Sequence, residues 1–294
     1  LVASALRQSR KTLVVTRAMG AHVYARDAAW ATWQHVVVVR GRGPDFAIEA
    51  AHKVADVVVV NYEILEARGK ALSVLPWDVV AFDESHYLRS HKYKDYARWV
   101  RAAEGLADLC HWGGGAVWLA TATPICDRRR DLWRQLRIAF PDGRWGTSWI
   151  WGHRYCAAFK TEHGGLDTTG ASNTEELEER LAFYVDKRTK AETAKEVPAL
   201  TRQRIRVEAK LVGREPKALE SAIARAAAAK LDAAVELAVD VLRGPGKAVI
   251  LTNRHKVVPR VLAALKKAVG RMPNLQTFCT STAKFTAALD VPER

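Results

Sequence analysis

Runs of β-branched and other apolar residues at 12–16, 36–39, 57–60, 79–82 and 117–120 punctuate the first part of this 294-residue chain. They return at intervals of roughly twenty residues, with one longer gap, and each gap holds a stretch able to form a helix, at 18–33, 46–53, 63–72 and 93–109. Strands spaced in this way cannot pair as tight hairpins. They need helical crossovers, which cover both faces of a parallel sheet. The runs are continuously apolar, as strands buried on both faces require. The expected fold class is therefore α/β, a doubly wound parallel sheet.

The run at 79–82 leads straight into Asp83, Glu84, Ser85 and His86. Open α/β sheets place their ligands at the C-terminal ends of strands. Adjacent acids there suit metal-nucleotide chemistry: Asp83 could hold Mg²⁺ through its waters, and Glu84 could orient or deprotonate an attacking water. Read alone, the same residues equally fit a strand leaving the core through a polar turn. Charge narrows the partner, because 46 Lys+Arg against 32 Asp+Glu leave +14, a balance that points to a polyanion, most often nucleic acid. A basic membrane-facing surface would give the same number. However, the sequence has no apolar run of the roughly 18 residues a spanning helix needs, and no basic amphipathic helix with a bulky apolar face. Cys110, Cys126, Cys156 and Cys279 form no CxxC pair, which argues against a zinc site or disulfide framework and for reduced, mostly buried thiols. No secretory signal opens the chain, so an intracellular protein is expected. The first residue is Leu1 rather than methionine, so the chain is expected to start inside a longer protein.

Further along, Asp127 is placed to cap a helix running to about Ala139 that buries Leu132, Trp133 and Leu136. The aromatic, glycine-rich stretch 145–170 reads as a packed irregular region. Asn173 and Glu176 have the spacing of a capping box, opening a helix with Leu177, Leu181 and Tyr184 inward and Glu178, Glu179 and Arg180 outward. A strand is expected at 202–207, a long helix over 216–243, a buried strand at 248–252 and a helix over 257–269. The last two look like the opening of a second α/β domain. The expected division is a first domain over 1–140, helical and irregular insertions over 141–244, and a second domain beginning within 245–294.

Taken in order, the motifs become specific. ADVVVVNYEIL at 55–65, DESH at 83–86 and LATATPI at 119–125 together resemble the helicase-like ATPases of superfamily two, Swi/Snf-type DNA translocases in particular. IWGHRYCAAFK, DTTGASNTEEL and FYVDKRTKAETAKEVPALTRQRIRV are similar to the annealing-helicase branch, and KAVILTNRHKVV resembles the first strand and helix of a second RecA-like domain. The resemblance implies a RecA-like sheet with helical insertions, ATP and Mg²⁺ as cofactors, and duplex or forked DNA bound without regard to sequence. It implies Asp83 as the acid holding Mg²⁺ through water, Glu84 as the base, and His86 as the link to Thr121, Ala122 and Thr123, the motif coupling ATP to DNA. Thr16, Arg17, Asn61 and Tyr62 would belong to DNA-facing loops. Lys187 and Arg188 would make backbone-DNA or interdomain contacts. Arg128, Arg129 and Arg130 read as a mostly solvated face.

The departures from the family pattern are also informative. No G-x-x-x-x-G-K-[ST] loop exists: Gly69-Lys70 is followed by Ala71, and Gly246-Lys247 by Ala248. Residues 1–10 match the helix that follows such a loop, so the phosphate cradle is expected just upstream. The second domain's arginine motif is expected beyond Arg294. Arg17 stands where the family usually has proline. The expected function is thus that of a DNA translocase fragment, inactive by itself. A non-catalytic nucleic-acid-binding module and a phage or restriction-system helicase subunit are the alternatives. The compartment would be cytoplasmic in a bacterium or phage host and nuclear in a eukaryote.

Overall fold

Valine-rich runs with no polar partner for their side chains become strands covered on both sides. Their order along the chain is β1 (Thr12–Thr16), α1 (Ala21–Thr32), β2 (Val36–Val38), α2 (Phe46–Val54), β3 (Val57–Asn61), α3 (Tyr62–Ser73), β4 (Val79–Asp83), a 3₁₀ turn (Ser85–Leu88), α4 (Arg98–Trp112) and β5 (Ala116–Ala120). The computed structural model describes residues 11–18, 20–32, 35–41, 43–89, 98–189, 192, 223, 226, 229–244, 248–251 and 257–270. These fall into two units, Leu1–Arg188 and Thr189–Arg294.

In the first unit, five strands pair in the order β2-β3-β1-β4-β5, and every pairing is parallel. Alternate residues of each strand face opposite layers. Leu13, Val15, Val58, Val60, Val80 and Phe82 join Ile48, Leu65, Ala103 and Leu106 of α2, α3 and α4 in one core. Val14, Val57, Val59 and Ala81 meet Ala21, Tyr24 and Ala25 of α1 in the other. Each fully buried Val, Leu or Phe contributes about 1.5–3 kcal/mol by leaving water, so neither layer can be shed without loss of the sheet. The chain leaves β1 toward β2 and β3, then crosses to β4 on β1's other side. The β1/β4 boundary is therefore the switch point at which such sheets bind ligands.

After β5 come α5 (Arg130–Ala139), α6 (Ser148–Tyr155), a short antiparallel pair β6 (Phe159–Lys160) and β7 (Leu166–Asp167), and α7 (Thr174–Ala182). Leu132, Leu136, Trp145, Trp151, Tyr155, Cys156 and Leu177 form a separate aromatic core. The irregular region expected over 145–170 thus contains a helix and a hairpin. The hydroxyl of Thr147 accepts a bond from Ile150 N and caps α6.

Local chemistry also differs from expectation at two helix starts. α5 begins at Arg130, and Asp131, inside its first turn, accepts bonds from the backbone N–H of Asp127 and Arg128. Asp127 therefore caps nothing, and the helix start has no side-chain cap. The N–H groups of Asp131 and Leu132 are taken up by the carbonyls of Arg128 and Arg129, and Asp131 instead ties the incoming chain to the first turn. At α7, Asn173 adopts a left-handed conformation and donates its amide to Arg154 O. Glu176 accepts from Arg154 and Tyr155, so no capping box closes. Arg180, expected in solvent, donates to Tyr155 Oη and Arg144 O and lies over the Trp145 ring, whereas Tyr184 is exposed. Charged side chains bearing a planar fork can cover aromatic rings as well as face water.

In the second unit, α8 (Leu231–Leu242) and α9 (Val258–Val269) pack through Leu231, Val235, Ala238, Val239, Val261 and Leu265. The buried strand expected at 248–252 is not formed over 248–251, where Val249 is 82% and Leu251 90% exposed. A strand needs a paired neighbour, and among the described residues none lies beside this one. Thr252, the strand expected at 202–207, the helix expected at 1–10 and Cys279 lie outside the described residues.

Two glycines test the packing with opposite signs. A Cβ on Gly69 of α3 would come within 2.8 Å of Ala102 Cβ on α4, whereas one on Gly105 of α4 meets nothing within 4 Å. Gly69→Ala should lower unfolding free energy by about 1–3 kcal/mol through overpacking. Gly105→Ala should raise it by about 0.5–1 kcal/mol through helix propensity. Urea denaturation followed by circular dichroism checks both.

Candidate functional site

The β1/β4 switch point gathers most of the residues singled out by sequence. Asp83 ends β4 beside Thr16, which ends β1 and donates its hydroxyl to Asp83 Oδ2 at 2.7 Å. Tyr62, first residue of α3, donates its phenol to the Asp83 carbonyl at 2.8 Å. Burial, followed by the charges of Asp83 and Glu84, holds the Tyr62 pKa well above its ordinary value, so the phenol remains a donor. Tyr24 on α1 is likewise pushed to about 12, by burial first and by Asp83 second.

Glu84 follows with φ 51° and ψ 48°, in the left-handed region. This turn carries the chain from the strand into the 3₁₀ segment and sets Glu84 Oε2 at 3.2 Å from His86 Nδ1. A carboxylate only accepts, so the imidazole proton is assigned to Nδ1. The same nitrogen lies 3.0 Å from Thr121 Oγ1 and 3.5 Å from Thr123 Oγ1. Thr121 Oγ1 also accepts from Thr123 N at 3.1 Å, which folds the threonine loop on itself. Asp83, Glu84, His86, Thr121 and Thr123 thus form one connected group, with Ala122 exposed between the two threonines.

The residues grouped as DNA-facing separate into two kinds. Thr16 and Tyr62 are each 1% exposed, and their polar atoms are taken up by Asp83. Arg17 and Asn61 stay accessible. The Arg17 guanidinium lies 5.1 Å from the Tyr87 ring centre, and Tyr87 stacks on Tyr62 at 5.5 Å. Asn61 donates to Glu63 at 2.6 Å and lines an open cleft of about 600 Å³ beyond the ends of β1, β2 and β3, with His22 and Arg40. Sequence reasoning did not single out His22 or Arg40; an arginine directly after a strand of the sheet is the signal that could have found it. Lys187 and Arg188 are exposed after α7, Arg188 lies 3.8 Å from Asp186, and neither joins the strand-end group among the described residues.

Sequence also passed over Ser85 and Gln135. Both are buried, and the Ser85 hydroxyl donates to Gln135 Oε1 at 2.8 Å. The arginines read as solvated are half-buried. Arg129 donates to Ser172 O and Thr174 Oγ1, and Arg130 to Thr168 Oγ1, tying α5 to the loop before α7.

Among the described residues no group of three or more His, Cys, Asp or Glu could cage a metal. A carboxylate with one oxygen fixed by Thr16 suits Mg²⁺, which keeps most of its waters and shares phosphate oxygens.

A doubly wound parallel sheet with an acid pair at its switch point, bonded to a threonine loop on the next strand, is the arrangement of a RecA-like domain. The profile of the SNF2-related domain matches residues 11–233, and the chain belongs to that family. The human DNA annealing helicase and endonuclease ZRANB3 is 32% identical over 158 residues, which cover 51% of this chain and 14% of that protein. The Drosophila melanogaster SWI/SNF-related matrix-associated actin-dependent regulator of chromatin subfamily A-like protein 1 is 30% identical over 159 residues, covering 54% of this chain and 20% of that protein. The chain therefore spans only a small part of either relative. A SWI2/SNF2 ATPase core from Sulfolobus solfataricus, solved in complex with dsDNA, aligns with 91% of this chain and 49% of its own at TM-score 0.48 and 16% identity.

A left-handed glutamate is retained against its local preference. Glu84→Gly should raise the unfolding free energy by about 1 kcal/mol, because glycine adopts that backbone region without a Cβ clash. Thermal or urea unfolding of the variant reads this directly, and an unchanged or lowered stability would count against the strain.

Proposed function

We propose that the complete protein is a DNA-dependent ATPase that couples hydrolysis to movement on, or remodelling of, duplex or forked DNA. The observation that carries this reading is the Asp83–Glu84–His86 group at the switch point, bonded to Thr121 and Thr123 on the neighbouring strand end. Bound Mg²⁺-ATP would supply the reactive phosphoanhydride together with a cation that offsets charge building on its phosphates. Asp83 would hold the metal's waters through Oδ1 while Thr16 fixes its other oxygen. Glu84 would orient the attacking water and accept its proton. His86, with its Nδ1 proton shared between Glu84 and the threonines, would report the state of that carboxylate to the Thr121–Thr123 loop.

On the DNA side, Arg17 over the Tyr87 ring, Arg40, His22 and Asn61 at the open cleft, and Lys187 and Arg188 after α7 would meet phosphates. Such contacts position a protein without reading sequence, in keeping with the chain's net charge of +14. The same reading divides the motor into a first RecA-like domain over 1–140, insertions over 141–244 and the start of a second RecA-like domain over 245–294. It also assigns the protein to the compartment that holds DNA, the nucleus in a eukaryote and the cytoplasm in a bacterium or phage host. Among the described residues no helix is long and apolar enough to cross a membrane.

In the complete protein, Glu84→Gln should lower ATP turnover by roughly 100-fold or more while nucleotide binding persists. Turnover and binding of a fluorescent ATP analogue separate the two, and unchanged turnover would refute the role of Glu84. DNA affinity should fall steeply and linearly on a log–log plot against salt, by about 0.9 log unit per phosphate contact, and should vary little with sequence. The 294-residue chain contains no G-x-x-x-x-G-K-[ST] loop and by itself should show no turnover above background. DNA binding without any hydrolysis by the complete protein would favour the non-catalytic module instead.

A further inference from the structure

Gln135 sits on α5, 2% exposed, with all of its amide engaged. Its Oε1 accepts from Ser85 Oγ at 2.8 Å, and its Nε2 donates to Pro124 O at 2.7 Å and to Asp131 O at 3.1 Å. Two carbonyls can only accept, so Nε2 must face them and Oε1 must face the hydroxyl. The polarity of the link is fixed by its partners. Ser85 is the residue immediately after the left-handed Glu84, and Pro124 immediately follows Thr123. One buried side chain on a rigid helix thereby grips both the carboxylate turn and the threonine loop, beneath the more exposed contact between His86 and Thr121.

We propose that Gln135 is a positioning residue that transmits displacement between the threonine loop and Glu84, acting through Ser85. The inference rests on the proposed ATPase function and concerns how that site responds to DNA. A shift of the loop that carries Pro124 pulls on Nε2. Because Asp131 O fixes the same amide from within α5, the pull passes through Oε1 to Ser85 and changes the turn that aims Glu84. Without the amide, the two loops keep, among the described residues, the His86 contacts with Thr121 and Thr123 and their packing. DNA binding that shifts the threonine loop would then lose most of its influence on the carboxylate.

The test uses the complete protein and compares Gln135→Met, which keeps chain length without hydrogen bonds, with Ser85→Ala and the double variant. The measured quantity is the ratio of DNA-stimulated to DNA-free kcat, alongside KM for ATP and the thermal midpoint. Each single variant should lower the ratio roughly fivefold or more, the lower end of a typical coupling free energy. The double variant should be no worse than either single one, since both cut the same link. A ratio within about twofold of wild type in both single variants, even with a lowered thermal midpoint, would make Gln135 a stability residue only and overturn the inference. Additive losses in the double variant would overturn the route through Ser85. A wild-type protein whose hydrolysis ignores DNA would overturn the proposed function itself, and this inference with it.

Discussion

A non-glycine residue in the left-handed region costs on the order of 1–2 kcal/mol and persists only where its neighbours are fixed. Glu84 is fixed on both sides. Before it, Asp83 is held through its carboxylate by Thr16 and through its carbonyl by Tyr62. After it, Ser85 is held by Gln135 and His86 by Thr121. At about 1 kcal/mol net for each hydrogen bond, these contacts together offset the strain. The sheet makes them possible, because β1 and β4 are adjacent and parallel, with Thr12 to Val15 in register with Val79 to Phe82. Once that register is set, the next residues on each strand, Thr16 and Asp83, meet at the edge.

The sheet was legible in the sequence for a specific physical reason. Strands buried on both faces tolerate almost nothing but β-branched and aromatic residues, so 57–60 and 79–82 stand out from helical text with little ambiguity. Their observed bounds, Val57–Asn61 and Val79–Asp83, differ from the apolar runs by the one polar residue that each presents at the sheet edge. The motif residues were legible too, because a carboxylate pair, a histidine and two threonines carry chemistry in their types. Ser85 and Gln135 were not. A lone glutamine in a charged helix reads as solvent-facing, and only the fold shows that its face points at the turn after β4. α6 was hidden for another reason. Trp149, Ile150 and Trp151 within a glycine-flanked stretch give no helical periodicity, and the helix is set by its Thr147 cap and by the burial of Trp151 and Tyr155.

The arginines illustrate how composition misleads at the level of single side chains. A net charge of +14 invites each one to be assigned to solvent or to nucleic acid. Arg129, Arg130 and Arg180 instead satisfy carbonyl and hydroxyl oxygens inside the first unit, and Arg68 on α3 is 2% exposed with a guanidinium bond to Pro44 O. A guanidinium fork can serve several oxygens at once, which suits it to closing loops over a helix. Among the described residues, Arg17 stays accessible beside the carboxylate edge and Arg40 beside the open cleft.

α5 joins these observations mechanically. Ile138 packs into the core beneath the sheet, while Leu132 and Leu136 pack into the aromatic core with Trp151 and Tyr155. Between those faces Gln135 reaches the carboxylate turn, and Arg129 and Arg130 at the helix start hold the loop that precedes α7. The Arg129 carbonyl also accepts from the Trp151 indole at 3.3 Å. Close-packed interiors do not deform continuously, so a helix wedged between two cores moves as a body or not at all. A displacement of the aromatic core would therefore be felt at Ser85 through α5. The helices and hairpin that follow β5 are thus joined to the turn at Glu84 through α5, by way of the Gln135–Ser85 bond.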